Sequence, residues 1–259
     1  MNDDVSARAA REQAAYDGTS VFGESAKLHS RFAHVFLGPN SGAAEAFFAS
    51  HLAEWAPGAD VLECGCSDGA LTYVLARLQP RSITGIDISR NAIEQARAER
   101  GHLAEYLVMD AAAMTFPDNR FDLVLGRAIL HHLDVEQALL EVHRVLRPGG
   151  HAVFVEPLRG NPAAKLFRAL TPKARTPDEA PLSAAQVSYG DKLFGVSEHF
   201  FANLVSVPVG VVSSLTTRVP DNTAMRMADF VDRALARTVL RYWMRGVVLT
   251  WQKPHQGYT

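Results

Sequence analysis

"VLECGCSDGALT" (61–72) runs from an apolar stretch through a glycine-bearing bend into a segment with helical character, and it holds both cysteines of the chain, Cys64 and Cys66. Glycine at 65 and 69 permits backbone angles closed to other residues and lets main-chain N–H groups approach a ligand. A zinc site needs about four ligands, and this stretch offers two. A redox pair is more often spaced Cys-x-x-Cys. The pattern therefore predicts Cys64 in a sheet core and Cys66 as a small filler in the bend, with no metal bound.

Working outward, strand-like runs recur at 60–64, 82–87, 104–110, 121–126 and 151–157. Helical stretches lie between several of them, as in "NAIEQARAER" (91–100) and "EQALLEVHRVL" (136–146). Strands alternating with helices imply βαβ units and a parallel sheet covered on both faces. "RPGG" (147–150) places Pro148 and Gly149 at the centre of a type II turn. Asp122 reads as structural, fixing the start of the fourth strand. Residues 1–55 read as an N-terminal helical cap with a break near 38–42, and 56–157 as the core. Proline-rich 158–200 reads as a lid inserted after strand five, and 201–259 as the C-terminal completion of the sheet.

Composition narrows the function. Nearly half of the 259 residues are apolar, enough for a full core, and the net charge of −2 lacks the basic excess that nucleic acid would attract. The N-terminal "MNDDVSARAAREQAAY" has no apolar run. The apolar stretch at 200–215 is interrupted by Asn203, Ser206 and Pro208 and falls short of the ~20 residues a membrane span needs. The expectation is a soluble cytoplasmic protein, a monomer or homodimer, without stable membrane insertion.

The dinucleotide fingerprint Gly-x-Gly-x-x-Gly fits poorly, because Ser67 and Ala70 stand where glycines belong. Glu63, just before the bend, repels a pyrophosphate and suits a ligand with positive charge. Five motifs in order, "ECGCSDG", "GIDIS", "VMDA", "FDLVLGRAILHHL" and "LRPGGHAVFVEP", span about 59–157. In these the chain resembles the class I S-adenosylmethionine-dependent methyltransferases, of the bacterial small-molecule, type 11-like kind. One departure is Ser67, which replaces the central glycine of the first motif.

The resemblance implies an α/β, Rossmann-like, doubly wound, mostly parallel seven-stranded sheet, with S-adenosyl-L-methionine as cofactor and S-adenosyl-L-homocysteine as product. It implies that Glu63 and the Gly65, Cys66, Ser67 and Gly69 bend hold the methionine portion. Asp87 takes the ribose hydroxyls, Ile88 packs on the adenine, Asp110 accepts its amino group and Ala111 lies beside the ring. Gly126, Arg127 and Ala128 pass close to the methionine part. Capping by Asp87 or Ser89 and a turn role for Asp110 are the competing local readings.

His131 and His132 follow strand four, where ligands of such sheets sit. Either is a candidate general base, and His132 a further cofactor contact. Tyr16 is a candidate aromatic face for the sulfonium. His29, Arg175, Asp178 and Glu179 are candidate substrate contacts, the last three in the stiff "LTPKARTPDEAPL" (170–182). Arg226, Arg233, Arg237 and Arg241 read as a solvated stripe. The expected activity is methyl transfer to an oxygen or nitrogen of a small-molecule metabolite or natural product by direct SN2 displacement. A catalytically silent cofactor-binding partner or sensor, and an NAD-dependent oxidoreductase, are the competing classes.

Overall fold

The computed structural model describes residues 7–8, 10–14, 30–170 and 179–255. Seven strands form one sheet: β1 Asp60–Cys64, β2 Ser82–Asp87, β3 Glu105–Val108, β4 Phe121–Arg127, β5 Leu146–Pro157, β6 Val196–Ala202 and β7 Gly246–Gln252. Their order is β3-β2-β1-β4-β5-β7-β6. β7 runs antiparallel to β5 and β6, and the other neighbours are parallel. The expected sheet is therefore present. β1 lies beside the central strand β4 with all five residues buried, as a strand covered on both faces is.

The helices divide between the two faces. Among the described residues they are α1 Ala33–Leu37, α2 Pro39–Trp55, α3 Ala70–Ala76, α4 Arg90–Arg100, α5 Val135–Val145, α6 Pro162–Leu170, α7 Ala184–Phe194, α8 Ser206–Thr216 and α9 Thr223–Leu235. Val135, Ala138, Leu139 and Val142 recur at helical spacing on α5 and pack on one sheet face with Val124, Phe154 and Leu249. Phe48 and Leu52 of α2 and Leu75 of α3 cover the other face with Val61, Leu123 and Val153. Local signals set the helix starts. Asp134 caps α5 by accepting from Gln137 N at 3.2 Å, and Ser183 and Gln186 form a capping box on α7.

Three expectations shift in detail. The N-terminal break is confined to Gly38; Ser41 and Gly42 lie inside α2. A Cβ at Gly38 would stand 2.8 Å from His34 O, a main-chain atom held in place by α1, so this close approach favours glycine. The 158–200 segment is not all lid. Val187 and Phe194 of α7 belong to the sheet core, and β6 opens at Val196 rather than after 200. The sheet edge takes these elements because their apolar faces have nowhere else to be buried. Finally, 201–259 supplies more than a strand, since α8 and α9 form a helical cap before β7. Asp122 is structural as expected: it accepts from Asp60 N at 2.8 Å and pairs with Arg147 at 2.6 Å. Gly149 holds φ +81°, the backbone a type II turn needs at that position.

Candidate active site

The strand order reverses between β1 and β4, and ligands of open α/β sheets bind in the crevice at such a point, outside the carboxyl ends of the strands. A cavity of about 500 Å³ lies there. Gly65, Ser67, Asp87, Ile88, Asp110, Ala111, Arg127, Ala128 and His132 line it, bringing together segments far apart in the chain. The bend after β1 is held from below. Gly65 N and Cys66 N both donate to Ile86 O, at 2.8 and 3.0 Å, and Gly69 N donates to Cys66 O at 2.8 Å. Gly65, Ser67 and Gly69 all adopt positive φ, +70°, +49° and +79°. That explains why serine can replace the central glycine. The required angle falls at the margin of the left-handed region that small polar residues enter with modest strain.

Asp87 is fixed at the cavity wall by two backbone donors. Ser67 N reaches its Oδ2 and Ser89 N its Oδ1, each at 2.9 Å. It thereby ties the bend to the start of α4, while Ser89 is the residue that caps that helix, through Ala92 N at 3.2 Å. Asp110 Oδ1 accepts from Ala112 N at 2.8 Å, so the turn role and a place on the cavity wall coexist. Arg127 pairs with Glu45 and lies over the Phe48 ring, 5.1 Å from its centroid.

Glu63, Cys66, Gly69, Gly126 and His131 are not among the cavity-lining residues. The Glu63 carboxylate is buried and accepts from Thr72 Oγ1 at 2.5 Å. Burial pushes its pKa up to about 8, with Asp87 and Asp68 adding to the rise and the Thr72 hydroxyl opposing it. Both thiols are free and buried, Cys64 in the sheet core and Cys66 beneath the bend. Burial raises their pKa far above the ordinary thiol range.

Of the two histidines, His132 lines the cavity and His131 lies beside it. His131 Nδ1 bonds Glu156 Oε2 at 2.7 Å, and His132 Nδ1 bonds Glu12 Oε2 at 3.1 Å. The two rings lie 4.1 Å apart. Glu156 Oε1 also accepts from Ile129 N and Leu130 N, at 2.9 and 2.8 Å. One carboxylate thus shapes the whole turn after β4. Sequence reasoning missed Glu156 and Glu12. Glu156 stands at the carboxyl end of β5, beside the strand ends that carry the site, and that position is the one signal that could have found it. Nothing local marks Glu12.

Glu179 lies beside this pair, since Ala180 N donates to His131 O at 2.9 Å. One potential ligand atom from each of His131, His132 and Glu179 lies within 4.8 Å of the others. Each Nδ1 is held by its own carboxylate, the arrangement that orients an imidazole whose other nitrogen acts as a base or a ligand. Tyr16, His29, Arg175 and Asp178 lie outside the described residues. Two other histidines are tied up structurally: His34 Nδ1 lies 2.9 Å from Ser213 Oγ, and His199 Nε2 lies 2.7 Å from Asp191 Oδ1.

Sheet order, glycine bend and the acids closing β2 and following β3 agree with the arrangement expected of a class I S-adenosylmethionine-dependent methyltransferase. Residues 62–154 match the family model described as the methyltransferase domain, and that segment belongs to the family. Over 104 residues the chain is 36% identical to a ubiquinone/menaquinone biosynthesis C-methyltransferase of Desulfotalea psychrophila, covering 39% of this chain and 42% of that one. Over 103 residues it is 38% identical to a fatty-acid O-methyltransferase of Mycolicibacterium smegmatis, covering 38% and 37%. The chain thus spans about two fifths of the length of these curated relatives. In three dimensions it resembles the N-methyltransferase NodS of Bradyrhizobium japonicum, solved with S-adenosylhomocysteine. The TM-score is 0.54 at 16% identity, over 85% of this chain and 90% of that one. No helix among the described residues is long and apolar enough to cross a membrane.

Proposed function

We propose that the chain transfers a methyl group from S-adenosyl-L-methionine to an oxygen or nitrogen of a small-molecule acceptor, by direct SN2 displacement. The observation that carries this reading is Asp87. Its carboxylate is pinned by two main-chain donors at the cavity wall, with Asp110 on the next strand end, so acceptors for a ribose diol and an exocyclic amine stand ready before any ligand arrives. The cavity volume lies within the range of small-molecule sites, ~300–1,000 Å³. At Gly65 a φ of +70° and the Ile129 side chain, 3.0 Å from where a Cβ would stand, favour bare backbone beside the cavity.

When bound, the cofactor supplies an electrophilic methyl on a sulfonium. The chain's own residues do the rest. Asp87 and Asp110 orient the adenosine, Ile88 and Ala111 enclose the base, and the main chain at Gly65–Ser67 and Arg127–Ala128 borders the amino-acid end. Glu63, held by the Thr72 hydroxyl, supports the bend from beneath. His132 is the general base for a hydroxyl acceptor. With Nδ1 donating to Glu12, its Nε2 carries the lone pair that takes the proton. His131, anchored on Glu156, sets the position of the turn. Glu179 borders the acceptor end, and Tyr16, His29, Arg175 and Asp178 are assigned to the same surroundings from the sequence alone.

The reading is tested by calorimetry with S-adenosylhomocysteine and by turnover with a labelled methyl donor over a panel of acceptors. Asp87→Ala removes a charged acceptor of several hydrogen bonds and is expected to weaken cofactor binding at least tenfold, at ~1.5–3 kcal/mol per such bond. His132→Gln is expected to lower kcat about 10²-fold or more while Kd for the demethylated cofactor changes little. Wild-type protein that takes up neither form of the cofactor refutes the proposal.

A further inference from the structure

The cap formed by α8, α9 and the 3-10 turn Val239–Trp243 carries apolar side chains that the fold leaves uncovered. Phe230 is 76% exposed and Val239 84%, and Met227, Val231 and Trp243 are also exposed. On α9 the apolar residues are not scattered. Met227, Phe230 and Val231 fall at i, i+3 and i+4 on one face, while Met225, Ala228 and Asp232 on the other are buried. The helix is therefore apolar toward the protein and apolar again toward the outside.

Charge marks what this outer face meets. Between Asn203 and Arg245 the chain has six arginines, three aspartates and neither lysine nor glutamate, an excess of +3 in a chain whose net charge is −2. Asp232, which caps α8 through Leu204 N, Val205 N and Ser206 N, is buried, as is the guanidinium of Arg245 over Phe36, and neither takes part in the outward balance. Asp221 and Asp229 pair with Arg226 and Arg233. Arg218, Arg237 and Arg241 make no ion pair among the described residues. Exposed aromatic and aliphatic groups flanked by arginine are the composition of a helix lying in the interface of an anionic bilayer.

We infer that this cap docks on an anionic lipid surface, with Met227, Phe230 and Val239 entering the headgroup region and the arginines meeting lipid phosphates. The attachment is peripheral. Position supports it: Gly246, just after the cap, pairs with Pro157 at the end of β5 and with Ala202 at the end of β6. The cap therefore leaves the sheet at the edge where β4 also ends, the edge that holds the cavity. Docking there presents the acceptor side of the molecule to the bilayer. The inference stands on this surface alone and does not rest on methyl transfer.

The test uses the full chain without any methyl donor, sedimented with vesicles of phosphatidylcholine alone or of phosphatidylcholine mixed with phosphatidylglycerol. The expected result is binding to the mixed vesicles, at least tenfold weaker to phosphatidylcholine, and released by high salt. Trp243 is half-exposed whereas Trp251 is buried, so emission should shift to the blue on docking, and Trp243→Phe should abolish the shift. Phe230→Ser with Val239→Ser should reduce partitioning at least tenfold. Arg218→Gln with Arg237→Gln should remove the preference for anionic lipid. Circular dichroism verifies that both double variants are folded. Protein that stays in the supernatant with mixed vesicles at low salt, or binds both vesicles equally, overturns the inference. So does light scattering that shows a dimer dispersed by Phe230→Ser, which would make the face a contact between two copies.

Discussion

The Glu63 carboxyl is buried beneath the bend near Asp87 and Asp68, and its proton affinity follows from that position. Its pKa of about 8 lies well above the ordinary 4.5. Between those values the folded chain holds a proton that the unfolded chain has released. Stability therefore falls as pH rises from about 4.5 to about 8 and is flat outside that window. At 1.36 kcal/mol per unit, ionising this buried group costs on the order of 5 kcal/mol. Glu63→Gln stays neutral throughout and can still accept from the Thr72 hydroxyl. Calorimetric melting is expected to show this variant more stable than wild type above pH 8, with the gap closing toward pH 5. A gap that does not change with pH would show that burial does not govern this group. A bound cation beside Glu63 would favour its ionised form, so cofactor uptake near pH 7 should release protons, measurable as a dependence of binding enthalpy on the buffer.

At the scale of elements, the junction between β1 and α3 is set by sterics. Gly69 begins α3 at φ +79°, and a Cβ there would lie 2.6 Å from Tyr106 Oη. Gly69→Ala is expected to cost about 1–3 kcal/mol through backbone strain and that clash. Adding Tyr106→Phe removes the clashing atom, and a double-mutant cycle by chemical denaturation should recover part of the loss. These central elements were legible in the sequence because their signals are local. The runs 60–64 and 82–87 centre on β-branched and aliphatic residues followed by turn signals, and both strands have those limits. The fourth strand extends one residue further than expected, to Arg127, and the third is shorter, at 105–108. β6 was not legible. Its first half, Val196–Glu198, is exposed at the sheet edge and carries no periodic apolar pattern. The site divides the same way. Asp87 and Asp110 stand at strand ends that the pattern marks. The partners of the histidines come from 25 and 120 residues away, and no spacing rule reaches them.

For the whole molecule, one buried carboxylate is a central tie between the cap and the rest of the chain. Asp232 is fully buried and accepts from Leu204 N, Val205 N, Ser206 N, Ser206 Oγ and Asn40 Nδ2. It thus links α9, the start of α8 and α2. Removing it strands several buried donors at once, each at ~1–3 kcal/mol. Asp232→Ala is expected to lower stability by at least 3 kcal/mol. Hydrogen exchange should show the amides of α8 and α9 opening ahead of those in β1 and β4. Uniform loss of protection would instead mean that cap and sheet unfold as one unit.

The sealed thiols make the fold report on itself. Cys64 and Cys66 are 1% and 2% exposed, and neither ionises readily. A maleimide or aromatic disulfide reagent can modify them only when the backbone around 64–66 parts from β2, so labelling measures the frequency of that breathing. A ligand seated against the bend should slow the modification in proportion to its occupancy, giving an assay for cofactor affinity that needs no knowledge of the methyl acceptor.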